Sequence, residues 1–269
     1  MPVIDKIAGL LRNRSALILL VGANVLMFLI LRIVAVVLNL GGNAHLQQPV
    51  LQWIELPASI LLLLHRPWTL LTYMFSQFDA WHLIFNMLML YWIGRIFTFT
   101  ASSARLVMLY ISGGLAGATV FILASLLAPG LSQSDFLIGS SASVFAIMTA
   151  AAVAMPKLPV NLLFFGEVQL RWIVIALIAI DFCLGAGGEN LGGHLAHLGG
   201  VAAGLLYPYT VKLLNRLPRK QSVRKAKVTT TRSDVRNLDE ILDKIKHSGY
   251  SSLTPAERKE LFEISNRIK

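Results

Sequence analysis

Six long apolar runs occupy most of the first 214 residues of this 269-residue chain, and they leave it few folds to choose from. They are Ala16–Leu38, Trp81–Phe99, Arg105–Leu127, Leu137–Met155, Leu170–Leu184 and His194–Leu214. A helix needs roughly 20 mostly apolar residues to cross about 30 Å of hydrocarbon, where each backbone group must find its partner within the helix. The fifth run is short and is open to a start near Val168. Charged residues are 14% of the chain, against about 25% in a soluble domain. Hydrophobic residues are 55%, which excludes a disordered chain. The expectation is an all-α, polytopic membrane protein with six transmembrane helices.

Lys6, Arg12 and Arg14 precede the first run, the pattern of a signal peptide, but the run is too long for a signal's apolar core. Arg32 lies near its end, where the stem can reach the interface. Between the first two runs, Gly41–Ala80 holds a shorter apolar stretch, Leu56–Leu64. That stretch is too short to cross and reads as an interfacial or membrane-dipping helix. Trp53, Trp68 and Tyr73 suit the interface level.

The formal net charge is +10, which alone would admit a nucleic-acid partner. Its distribution decides otherwise. With the N-terminus inside, all but Arg32 and Arg66 of the 24 Lys and Arg residues face the cytoplasm, as the positive-inside rule requires. The charge is therefore a topology signal, with both termini cytoplasmic and no nucleic acid implied. The single cysteine, Cys183, excludes an internal disulfide and a CxxC metal site.

Residues 1–214 form the expected membrane domain, 215–236 a basic linker and 237–269 a small two-helix appendage. In the appendage Leu238, Ile241, Leu242 and Ile245 recur at helical spacing over Asn237–His247, and Gly249 is the expected stop. Thr254, Pro255 and Glu257 are placed as N-cap, N1 and N3 of a second helix, whose face carries Leu261 and Ile264.

Polar residues inside membrane runs are costly and are functional candidates by default. His82 and Asn86 lie at i, i+4 on one helix face, and serve equally as a capping or packing pair. Gly139-Ser140-Ser141-Ala142-Ser143 opens the fourth run, where small residues also permit close helix packing. His194 and His197 open the sixth, followed by Gly200 and Gly204 as a GxxxG face. Two histidines fall short of a zinc site, which takes three or four ligands, although His82 could add one. Asp181, in the fifth run, reads as a proton relay, an ion ligand or a hydrogen-bonded carboxyl.

Runs two, four and six start on the same outer side, so they deliver an amide, a hydroxyl and an imidazole to one depth. Nucleophilic acyl transfer uses that set: a hydroxyl with an adjacent base, and donors for the oxyanion. No acid is evident at that depth, so a Ser–His dyad is the economical scheme. A transporter built on Asp181 and the histidines is the competing reading.

His82xxxAsn86, Gly139-Ser140-Ser141-Ala142 and His197xxGly200xxxGly204 resemble the motifs of the rhomboid intramembrane serine proteases, over roughly Trp68 to Tyr209. The resemblance implies a six-helix bundle with a membrane-dipping loop after the first helix. It implies Ser141 as nucleophile, His197 as base, and Asn86 and His82 as oxyanion donors. Phe145, stacked on the histidine, and Gly139, Gly200 and Gly204 would support them. Ala142 replaces the family's usual glycine, and Thr98 its usual acid. The implied function is an endopeptidase cutting single-span membrane proteins near the outer face, without cofactor or metal. A non-catalytic adaptor or chaperone on the same fold is the alternative. The tail resembles an appendage of bacterial members, which implies a bacterial inner membrane and a possible cytoplasmic partner for the tail.

Overall fold

The computed structural model describes residues 16–127, 136–163, 166–185, 190–216, 232–258 and 260–261. The chain divides into two compact units, Met1–Arg216 and Leu217–Lys269.

In the first unit each apolar run forms a helix: α1 Ala16–Leu40, α2 Ala80–Phe97, α3 Ser103–Leu127, α4 Ser141–Ala154, α5 Leu170–Gly185 and α6 Leu191–Arg216. Among the described residues, α1 and α3 are long and apolar enough to cross a membrane on length and composition alone. α4, at 14 residues, is shorter than its run. At about 1.5 Å per residue it extends about 21 Å, less than the hydrocarbon thickness. The start of the run is instead extended, with Phe136–Leu137 (β2) pairing antiparallel with Leu56–Pro57 (β1).

Helix α4 lies at the centre. It packs against α2, α3, α5 and α6, and α6 also packs extensively on α3. Nearly every residue of α4 from Ala142 to Ala152 is buried, and most are small. Large apolar side chains on the other helices face outward, among them Leu26, Ile33, Phe85, Ile175 and Phe182. A bundle with large apolar side chains facing outward and a small-residue helix at its centre suits lipid, where helices associate by close packing.

The loop between α1 and α2 folds as short pieces. Gln47–Leu51, Ile60–His65 and Thr69–Thr72 are helical, and Leu56–Pro57 is strand. The helix expected at Leu56–Leu64 therefore begins at Ile60. Ser59 accepts from the Leu62 N–H at its start, and Leu56 is drawn into the strand pair instead. Trp53 and Trp68 stack with ring centroids 6.0 Å apart, Trp68 Nε1 donates to the Trp53 carbonyl, and the Arg66 guanidinium lies 4.4 Å from the Trp53 ring. A second hairpin, Pro159–Leu162 (β3) with Gly166–Gln169 (β4), joins α4 to α5. The expectation of an all-α chain is thus corrected to a mostly helical one with two small strand pairs.

The same loop buries Glu55, whose Oε2 has no hydrogen-bond partner among the described residues. Burial pushes this carboxyl up from 4.5 to about 6. The protonated form is the one the fold favours. Stability from this site is complete below pH 4.5, falls as pH rises towards 6, and stays lower above it. Glu55→Gln is expected to raise the thermal midpoint in detergent at pH 7.5, by the equivalent of about 1–2 kcal/mol, and to change little at pH 4.5. Equal gains at both pH values would contradict this account.

In the second unit a helix, α7, runs from Arg232 to Ser248. It begins five residues before the expected Asn237, so residues 232–236 of the expected linker are helical. Residues 215–216 of that linker belong to α6, and 217–231, with Ile264, lie outside the described residues. Gly249 follows the helix with φ +78°, the left-handed stop that glycine supplies. Residues 255–258 and 260–261 are helical. Thr254 and Glu257 form a capping box: the Glu257 N–H donates to Thr254 Oγ1, and the Thr254 N–H donates to Glu257 Oε2. Lys244 pairs with the same glutamate at 2.7 Å, and these donors hold its carboxyl down at about 2.

Candidate active site

Ser141 is the first residue of α4, and His197 lies in the second turn of α6. Their side chains meet, with His197 Nε2 2.6 Å from Ser141 Oγ. The Phe145 ring, one turn beyond Ser141, stacks on the His197 imidazole at 4.8 Å and 21°. Ser140 turns the other way and accepts from Gln77 Nε2 at 3.1 Å, while Ser143 is buried with its hydroxyl unpartnered among the described residues. Of the three clustered serines, Ser141 is the one that meets a base.

Glycines set this geometry. Gly139 has φ +131°, a region L side chains rarely adopt, and a Cβ there would lie 2.9 Å from the His82 ring. His82 is therefore packed against the turn that leads into Ser141. A Cβ on Gly200 would collide with the backbone of Ala142, and one on Gly204 would lie 2.5 Å from the Ala146 carbonyl. The GxxxG face thus meets α4 at the two turns that carry Ser141 and Phe145.

Asn86 is buried, and its Nδ2 donates to Gln77 Oε1 at 2.9 Å. Gln77 in turn donates to Asn24 of α1 at 3.2 Å as well as to Ser140. Asn24 Nδ2 reaches the Tyr110 hydroxyl of α3 at 2.9 Å, and that hydroxyl donates to the Met74 carbonyl. One amide hydrogen of Asn86 is thus committed to a network behind Ser141, and that bond does not use the other. Sequence reasoning missed Gln77 and Asn24. The rule that marked Asp181, a polar group inside an apolar run, would have marked Asn24 too.

The expectation that no acid lies at this depth is corrected. Asp181 of α5 places one oxygen, Oδ1, 2.8 Å from His197 Nδ1 and 2.9 Å from His194 Nδ1. The first turns of α6 present both imidazoles to α5, which brings the carboxylate to them. These three side chains are the one group among the described residues whose donor atoms could jointly hold a metal ion, all lying within 4.8 Å of one another. His82, the third zinc donor that the sequence offered, is not in that group. The separations are hydrogen-bond lengths, and a single oxygen serves both rings.

The first N–H groups of a helix have no intrahelical acceptor. In α4 the Val144 N–H is the one that bonds back to Ser140. The Ser141 end therefore presents backbone donors and the positive pole of the helix beside the hydroxyl. A hydroxyl, an imidazole in contact with it and a set of backbone N–H donors lie together, partly buried.

A family model described as the Rhomboid domain matches residues 64–213, and one described as a family of unknown function (DUF6576) matches 231–267. RHOMBOID-like protein 12, mitochondrial, of Arabidopsis thaliana is 31% identical over 146 residues. That match covers 50% of this chain and 43% of the plant protein, so the chain spans less than half of that relative's length.

Proposed function

The chain belongs to the rhomboid family, and from that membership we propose that it is an intramembrane serine endopeptidase, cutting single-span membrane proteins near the outer face. The observation that carries the reading is the 2.6 Å contact between Ser141 Oγ and His197 Nε2 at the head of a buried helix. An adaptor on this fold has no use for an imidazole aimed at a hydroxyl.

In the proposed reaction, Ser141 Oγ attacks the scissile carbonyl as His197 Nε2 takes its proton. The oxyanion is held by backbone N–H groups at the start of α4, by the remaining Asn86 amide hydrogen and by His82. His197 returns the proton to the leaving amine, the C–N bond breaks, and water repeats the cycle on the acyl-enzyme. Six crossings, with both termini on the positively charged cytoplasmic side of a bacterial inner membrane, fit this reading. The second unit is then a candidate surface for a cytoplasmic partner.

The deciding experiment is fluorophosphonate labelling together with cleavage of a generic single-span substrate in liposomes. Wild type should label at Ser141 and cleave, and Ser141→Ala should do neither. A folded wild type that binds substrate without labelling or cutting would favour the adaptor.

Asn86→Ala is expected to lower turnover by about 10²-fold, the usual cost of one oxyanion donor. The same change leaves Gln77 Oε1 without its donor, so a modest drop in thermal midpoint should accompany it. Gln77→Ala separates the two effects, since it disturbs the network and spares the donor. Turnover as low in Gln77→Ala as in Asn86→Ala would assign Asn86 to the scaffold alone.

A further inference from the structure

We propose that Asp181 is the positioning residue for His197, with His194 as its second donor, so that the site works as a chain from Ser141 through His197 and Asp181 to His194. This rests on the protease reading above and extends it beyond a two-residue site.

The argument begins with hydrogen-bond inventory. An ionised carboxylate only accepts, and a neutral imidazole carries one N–H. Asp181 Oδ1 lies 2.8 Å from Nδ1 of His197 and 2.9 Å from Nδ1 of His194. Both rings therefore carry their hydrogen on Nδ1. For His197 this leaves the lone pair on Nε2, the atom 2.6 Å from Ser141 Oγ. The carboxylate thus selects the tautomer that can accept the serine proton, which is the task of the acid in a serine triad. Side-chain exposure is 14% for Asp181 and 13% for His197, so both groups are largely sheltered from water.

The helices are shaped for the contact. Asp181 and Gly185 stand at i, i+4 on one face of α5, and His194 and His197 at i, i+3 on α6. A Cβ on Gly185 would lie 2.8 Å from the His194 Cβ, so the glycine lets α5 come close enough for its carboxylate to reach both rings. The His194 and His197 rings stand edge to face, 5.6 Å apart at 83°. His194 therefore approaches the shared oxygen from a different side and fixes the carboxylate against rotation. Phe145 stacks on His197. The base is thereby fixed in its plane by stacking and in its rotation by a doubly held acid.

A cavity of about 130 Å³ adjoins Asp181, lined by Phe182, Gly185, Leu191, His194 and Leu198. It has room for a small carboxylate, which gives the proposal a readout that a merely structural aspartate would not produce.

The experiment uses the full chain in detergent and follows cleavage, Ser141 labelling by a fluorophosphonate and thermal midpoint. Asp181→Ala should lower kcat by roughly 10³- to 10⁴-fold with KM nearly unchanged and only a modest drop in midpoint, and slow labelling in parallel. Added formate should recover part of the rate in Asp181→Ala and none in His197→Ala. Asp181→Asn keeps the shape but has an amide that can donate to Nδ1 and favour the wrong tautomer, so it should be slowed at least about tenfold. A wild-type rate in either folded variant overturns the proposal, as does a loss that formate leaves untouched and that follows a lowered midpoint. Abolition of wild-type activity by EDTA would replace hydrogen bonding with metal ligation and overturn it too. A wild type that neither labels nor cleaves instead removes the protease reading itself.

Discussion

Ser141→Ala and His197→Ala are each expected to reduce cleavage of a single-span substrate by about 10⁴- to 10⁶-fold, and the double variant to be hardly slower than the worse single one. The two side chains make one contact, and neither is useful without the other. A hydroxyl without its base is a poor nucleophile, and a base without the hydroxyl activates nothing in its place. Each single change therefore removes the whole covalent route, and the second has nothing left to remove. Single-turnover rates in liposomes, with thermal midpoints to establish folding, measure this directly. Additive losses would mean that the residues act separately. Loss of activity in His194→Ala with a normal His197→Ala would place the base one turn earlier on α6, against the observed contact.

The second large effect comes from a residue with no side chain. Gly200→Ala is expected to cost at least about 10²-fold in turnover and Gly200→Val nearly all activity, both with a lowered thermal midpoint. Any Cβ at Gly200 meets the backbone of Ala142, and Gly199 beside it would meet the Ala116 carbonyl at 2.5 Å. Neither neighbour is a flexible side chain that can swing aside. Helix α6 would have to move outward, and His197, one turn before Gly200, would move with it. A misplacement of about 1 Å is enough for a 10²-fold loss. Overpacking of this kind typically costs about 1–3 kcal/mol of stability. Gly22 of α1 is the control, because nothing lies within 4 Å of a Cβ built there. Gly22→Ala should be silent, and a silent Gly200→Ala would mean that α6 can retreat without carrying its histidine away.

The sequence made the helices of the first unit legible because hydrocarbon imposes a length and a composition that few soluble segments share. Ser141 and His197 were legible as polar groups that apolar runs bring to one depth, in spacings that resemble family motifs. What stayed hidden depends on rotation about helix axes. Asp181 was visible as a costly residue, but whether α5 turned it toward α6 or toward α2 is not a property of its own run. Gln77 was hidden because it lies in a loop, where a glutamine is unremarked until folding buries it. The Leu56–Leu137 pairing was hidden because two-residue strands have no periodicity to detect. The early start of α7 is hidden because its first turn is polar, and the regular apolar spacing begins at Leu238.

The network behind the nucleophile is built from Asn24, Gln77, Asn86, Ser140 and the Tyr110 hydroxyl, and not one of its amide or serine members can gain or lose a proton in the range where enzymes work. Ionisable groups lie outside that network, at Asp181, His194 and His197 where α5 and α6 meet and at His82 beside the Gly139 turn. A proton can be added on the side where α5 and α6 meet while the amide lattice binding α1, α2 and α3 to the turn before Ser141 keeps the same bonds. In the proposed reaction the proton that His197 takes and returns therefore leaves the platform on which the serine stands undisturbed.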